Sequence, residues 1–194
     1  MGKLKMKIIL LVLLLGLLFI SSLTSAGELY DIKMPDVDAV NGKNLVLNGM
    51  TVREVSILNI EIRVYVGGLY LEKKSSKGDE ILDSKNLKEM KTIFKHHASA
   101  TEVKNAWDEA VKVVCKDTCF SKHKDHLKQF ESFFKSVNSG DNLTYIFSPN
   151  GVDVSENGEK LGSVTDEDFG KVVLSVWIGN PPFSEKMKKG LLSL

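Results

Sequence analysis

Proline is sparse in this chain, four residues in 194, and two of the four stand together at Pro181-Pro182. No Pro-rich or low-complexity tract divides the sequence and no internal repeat recurs, which excludes a linker-joined array or a solenoid. Cysteine is scarcer still. Cys115 and Cys119 are the whole complement, too few for a scaffold stapled by several disulfides. Neither sign of charge is in excess: 26 Lys and Arg stand against 25 Asp and Glu. A nucleic-acid footprint, which needs a basic stripe, is therefore not expected.

What the chain does have is an uneven amino terminus. Lys3, Lys5 and Lys7 precede an apolar run from Ile8 to Ile20, and Thr24-Ser25-Ala26 supplies small residues at a cleavage position. This is the pattern of a signal peptide spanning residues 1–26, leaving Gly27 as the mature amino terminus of a periplasmic or secreted protein that meets the membrane only during export. An uncleaved anchor is the alternative, since the run with its flanks approaches the length of a short spanning helix. No cysteine follows the run, so no lipid attachment is indicated. Residues 27–194 have the length of one domain able to bury its own core.

Within that domain, period-two alternation predicts strands at Lys43 to Leu47, Thr51 to Ile57, Glu61 to Glu72 and Met90 to His97. Ser99 and Glu102 form a capping box for a helix to about Val114, with Trp107 on its apolar stripe. A second helix is expected from Ser121 to Val137, burying Phe130, Phe133 and Phe134. Strands return at Leu143 to Ser148, Val152 to Ser155 and Lys160 to Val164, joined through Pro149-Asn150-Gly151 and Asn157-Gly158. Thr165 can cap a helix through Val176, and Ser184 starts the last one. The order is that of an α+β fold, a mainly antiparallel sheet with helices on one face.

Arg53 and Arg63 interrupt two of the most apolar strands. A strand arginine ordinarily faces solvent. Its alternative use is as an anion clamp, because the guanidinium fork matches a carboxylate or enolate. With Leu58-Asn59-Ile60 as the turn, Arg53 lies opposite Tyr65 on one face, together with Val55 and Ile57, whereas a one-residue slip would separate the two.

The "GGLYLE" run at 67–72, "TEVKNAW" at 101–107, "YIFSPNGVDVSENGEKLGSV" at 145–164 and "VVLSVWIGNPPFSEKMKKGLL" at 172–192 together resemble the chalcone isomerase-like family, in its bacterial exported branch. The resemblance covers most of residues 27–194. It implies a large antiparallel sheet covered by helices with a ligand cleft between the layers. Through "LNGMTVREV" and "GLYLE" the family's catalytic arginine falls on Arg53, its active-site threonine on Tyr65 and its cleft lysine on Lys95. The enzymes' substrate-binding tyrosine, their asparagine and a small hydroxyl residue fall on Val103, Ala110 and Val176. An apolar pocket with one cation suits an amphipathic acid better than a polyphenol. Non-catalytic members resemble fatty-acid-binding proteins in which an arginine and a tyrosine receive the carboxylate. The resemblance thus implies a binding protein for a small apolar acid such as a fatty acid, with Arg53, Tyr65, Lys95, Val103 and Val176 as ligand contacts. The alternative it leaves is an intramolecular lyase using Arg53, Tyr65 and Lys95. No cofactor is called for.

Cys115, Cys119 and His123 would share a face of one unbroken helix and could then bind zinc. Export instead favours a Cys115–Cys119 disulfide, given a backbone bend near Asp117-Thr118. On that reading no metal is expected. His96 and His97, consecutive on a strand, should face opposite ways, one solvated and one half-buried. Trp107 and Trp177 read as core. Asn142-Leu143-Thr144 is a glycosylation sequon if the source is eukaryotic.

Overall fold

The computed structural model describes residues 26–194. The signal pattern of residues 1–26 lies outside them but for Ala26, the first residue of strand β1. A small hairpin, β1 (Ala26–Leu29) and β2 (Ile32–Pro35), comes first. A seven-stranded antiparallel meander follows: β3 (Val37–Val40), β4 (Lys43–Ile57), β5 (Ile60–Leu71), β6 (Lys88–Phe94), β7 (Asn142–Ser148), β8 (Gly151–Glu156) and β9 (Glu159–Val164), each strand beside its sequence neighbour. Helices α1 (Gly78–Asp83), α2 (Ala100–Val114), α3 (Thr118–Glu131), α4 (Glu167–Ile178) and α5 (Glu185–Leu191) complete the chain. The architecture is the α+β class read from the sequence.

Both sheet faces are covered. One carries the helices and the larger core, centred on Leu69, Met90, Phe130, Tyr145, Val173 and Trp177. The other carries the β1–β2 hairpin, where Met34, Leu45, Val66 and Tyr70 pack and the Tyr70 hydroxyl donates to the Pro35 carbonyl at 2.9 Å. Burial on both faces explains why β5 is buried without alternation from Val66 to Leu71. The GG pair within it makes room: a Cβ on Gly67 would lie 2.5 Å from Met90 Cε, and one on Gly68 2.4 Å from Met34 Sδ.

The strands expected at 43–47 and 51–57 are one strand, β4, with a bulge at Asn48. The bulge breaks the alternation, which is why the sequence reads as two pieces. Asn48 is buried and spends its amide on the chain: Nδ2 donates to Leu191 O at 2.7 Å and to Ser75 O at 3.0 Å, while Oδ1 accepts from Ser75 N at 2.8 Å. These bonds tie the carboxyl-terminal helix to the sheet.

Helix α3 begins and ends earlier than the expected Ser121 to Val137, because Val137 is drawn into an isolated β-bridge with Ala98. Helix α4 is capped by Asp166, whose carboxylate accepts from Phe169 N at 2.6 Å, rather than by Thr165. The Ser99–Glu102 capping box and the Ser184 cap are both present.

Candidate functional site

Between the sheet and helices α2 and α4 lies a cavity of about 530 Å³, within the range of small-molecule sites. Its inner wall is Thr92, Leu143 and Tyr145 from the sheet with Val103, Trp107, Ala110, Val176 and Trp177 from the helices, all buried. Arg53, Val55, Ile62, Val64, Tyr65 and Phe183 line the part that opens to solvent, with His96, His97 and Glu102 beside them.

Arg53 and Tyr65 are register partners on β4 and β5, as the hairpin geometry anticipates, but they meet by a different route. The turn has two residues, Leu58 and Asn59, both with positive φ, so Ile57 pairs with Ile60. A bulge then leaves Val64 unpaired and restores the offset at Arg53 and Tyr65. Two consecutive residues, Val64 and Tyr65, consequently line the cavity.

The two strand arginines part company here. Arg63 stacks on Tyr30, 4.1 Å from the ring centroid, and lies 3.6 Å from Glu54. Arg53 is half-buried in the cavity wall. Its guanidinium sits 4.8 Å from the centroid of Phe183 and donates one bond, 3.0 Å, to the carbonyl of Glu54. Among the described residues it has no carboxylate partner, since the Glu54 side chain goes to Arg63 and Lys186. Arg53 therefore brings an un-neutralised charge and free donors to an apolar wall.

Beside it, the Tyr65 hydroxyl accepts the Trp177 indole N–H at 3.0 Å. Among the described residues the Tyr65 O–H makes no hydrogen bond of its own. Burial pushes the Tyr65 pKa up, against the opposing effects of the indole bond and the Arg53 charge. Tyr145, deeper in the wall, is pushed up further, again by burial first. Both phenols stay protonated at neutral pH and so are not poised as bases.

Of the remaining positions, Val103, Ala110 and Val176 line the cavity. Lys95 does not. Tyr65 pairs with Phe94 across β5 and β6, which puts Phe94 on the cavity side and turns Lys95 away, where its Nζ donates to Tyr30 O at 3.1 Å. The chain bends after Phe94, so His96 and His97 are not consecutive on a strand; both are exposed and both border the cavity. Trp107 and Trp177 are core and cavity wall at once, with ring centroids 5.3 Å apart in an edge-on contact.

Tyr145, Thr92 and Phe183 are lining residues that the sequence did not single out. For Tyr145 the signal was alternation on β7, with Leu143, Tyr145 and Phe147 buried on one face.

Cys115 and Cys119 form a disulfide across the bend between α2 and α3, with Cα atoms 5.2 Å apart. Neither thiol is therefore free for the zinc set that the sequence allows.

Residues 26–193 match the family model described as chalcone isomerase-like. Among solved structures the chain is similar to the Arabidopsis thaliana fatty-acid binding protein, with a TM-score of 0.74 and 17% identity over 87% of this chain and 96% of that one. No curated protein matches it by sequence.

Proposed function

The chain belongs to the chalcone isomerase-like family, and from that premise we propose that it is a non-enzymatic binding protein for a small apolar acid such as a fatty acid, held in the cavity between the sheet and α2 and α4. The observation that carries this reading is Arg53, a cation without an acidic partner among the described residues, set in an apolar wall beside a tyrosine whose proton is free. A carboxylate placed there gains a charge-assisted bond from the guanidinium and a second from the phenol. The alkyl chain gains about 0.8 kcal/mol for each methylene it removes from water against Trp107, Val103 and Val176. The fold shared with a plant fatty-acid binding protein supports the same reading.

A second reading is an intramolecular lyase, favoured only by Arg53 and the Tyr65 hydroxyl, which could steady a developing enolate. Val103, Ala110 and Val176 supply no polar group to position the rest of such a substrate.

We further propose that the protein acts after export, on the signal pattern of residues 1–26 and the disulfide. Native mass spectrometry of gently purified protein tests the binding reading. A co-purified lipid acid at one equivalent is expected, and protein that neither carries nor takes up a C12 to C18 fatty acid would overturn it. Mass analysis of the exported protein should give Gly27 as the amino terminus, and an intact Met1 counts against processing.

A further inference from the structure

We propose that His123, His126 and Asp166 form a binding site for a divalent transition cation, zinc being the type case, at the junction of α3 and α4. One ligand atom from each of the three side chains lies within 4.8 Å of the others. The two histidines stand at i and i+3 on α3 and so share a face. Asp166 reaches them from the N-cap of α4.

Two observations set this cluster apart from ordinary packing. The Nδ1 atoms of both His123 and His126 are buried and have no hydrogen-bond partner. A buried ring nitrogen without a partner is costly, and native structures satisfy nearly all of them. Here two stand side by side, with ring centroids 5.8 Å apart, and His123 is only 4% exposed. Its Nδ1 faces Asp166 Oδ1 at 3.9 Å, too far for a hydrogen bond. A cation held between the three side chains would give the His123 Nδ1 the partner it lacks. Asp166 has a free oxygen to give, because the cap bond to Phe169 N is accepted by Oδ1 alone.

The ligand chemistry fits as well. Two imidazole nitrogens and one carboxylate oxygen are a common zinc set that leaves a fourth position for water. Ligand atoms about 3.4 Å apart would suit tetrahedral zinc, so the side chains need to close by roughly an ångström, which His126, half-buried, and Asp166 can do by rotation. Lys122, next to His123 in the chain, is paired with Asp168 at 2.6 Å. The ring of Phe169 covers both imidazoles, at 5.9 and 5.7 Å between centroids. The disulfide fixes the start of α3 and removes both thiols from competition.

Zinc chloride competed against a chromophoric zinc indicator, after chelator treatment and desalting, tests the site. One equivalent should bind with a Kd below about 10 μM, and excess zinc should raise Tm. His126→Gln and Asp166→Asn should each weaken binding about tenfold or more. Asp166→Asn keeps a competent helix cap, so a loss there is not a loss of fold, and far-UV circular dichroism verifies this for each variant. Affinity should fall as pH drops through the histidine range, since protons compete for the same nitrogens. Absence of stoichiometric binding overturns the proposal. So does binding that survives His123→Gln with His126→Gln, or binding lost in His96→Gln with His97→Gln, which would place the metal on the exposed pair beside the cavity.

Discussion

Arg53 is the residue on which the binding reading turns, and its head-group role can be separated from the burial of the tail. A fatty acid and the matched fatty alcohol bury the same chain, but only the acid needs the guanidinium. Arg53→Gln should weaken the acid by roughly tenfold to a hundredfold, a charged hydrogen bond being worth about 1.5 to 3 kcal/mol, and the alcohol much less. Tyr65→Phe should cost about 1 kcal/mol, one neutral bond. Titration calorimetry with the two ligands decides it: equal losses for both, or none, would make Arg53 an ordinary strand arginine. That Arg53 and Tyr65 face each other was legible from the turn and the alternation, yet the agreement came through a shorter turn and a bulge that cancel. Lys95 was not legible, because its face depends on the β5–β6 register, and the helix and loop inserted between those strands hide that register from the sequence.

Glu89 shows the same single-residue logic on the opposite face. It is 2% exposed, with Oε1 3.4 Å from Lys91 and Oε2 without a partner. Burial raises its pKa above the ordinary 4.5, outweighing the attraction of Lys91, while Asp38 adds repulsion. The folded protein therefore holds this proton more tightly than the unfolded chain, and stability falls as pH rises from 4.5 towards the folded pKa. Glu89→Gln lacks that cost. It should be more stable than the parent at pH 7, with the difference shrinking below pH 4.5, as read from urea midpoints at the two pH values; a variant less stable at both would show that the Lys91 pairing dominates.

At the scale of elements, the helices with side-chain caps were readable and those ended by tertiary contacts were not. Ser99–Glu102 and Ser184 announce α2 and α5 locally, whereas α3 stops where Val137 is claimed by a bridge to Ala98. Strand β3 could have been found from Asn41-Gly42, a left-handed pair at the β3–β4 turn. The contact of β4 with α5 was invisible, since it depends on small residues meeting across some 140 positions of sequence. Gly49 lies against the backbone of α5, and a Cβ there would be 2.3 Å from Gly190 O and 2.6 Å from Leu191 O. Main-chain atoms cannot rotate away as a side chain would. Gly49→Ala should lower stability by about 1 to 3 kcal/mol, measured as a drop in Tm, and an unchanged Tm would mean that α5 can lift from the sheet at little cost.

For the whole molecule, the sheet and its helices create the cavity by leaving the space between strands β4 to β7 and the two helices α2 and α4 incompletely filled, and what they present inside decides what the fold can do. Closing a flavanone ring from a chalcone requires a phenolate held next to a hydrogen-bonded carbonyl, with most of the rate coming from positioning and preorganised donors. In this cavity Arg53 and the protonated Tyr65 gather on one part of the wall, while Val103, Ala110 and Val176 present only hydrocarbon. Nothing at those three positions can fix the second end of a polyphenol, and neither phenol, its pKa raised by burial, serves as a base at neutral pH. The purified protein should therefore leave chalcone cyclisation at its uncatalysed rate, followed by the loss of chalcone absorbance at pH 7.5. A rate well above that background which disappears in Arg53→Ala would show that one arginine and one phenol suffice for turnover, and the cavity would then have to be read as an active site.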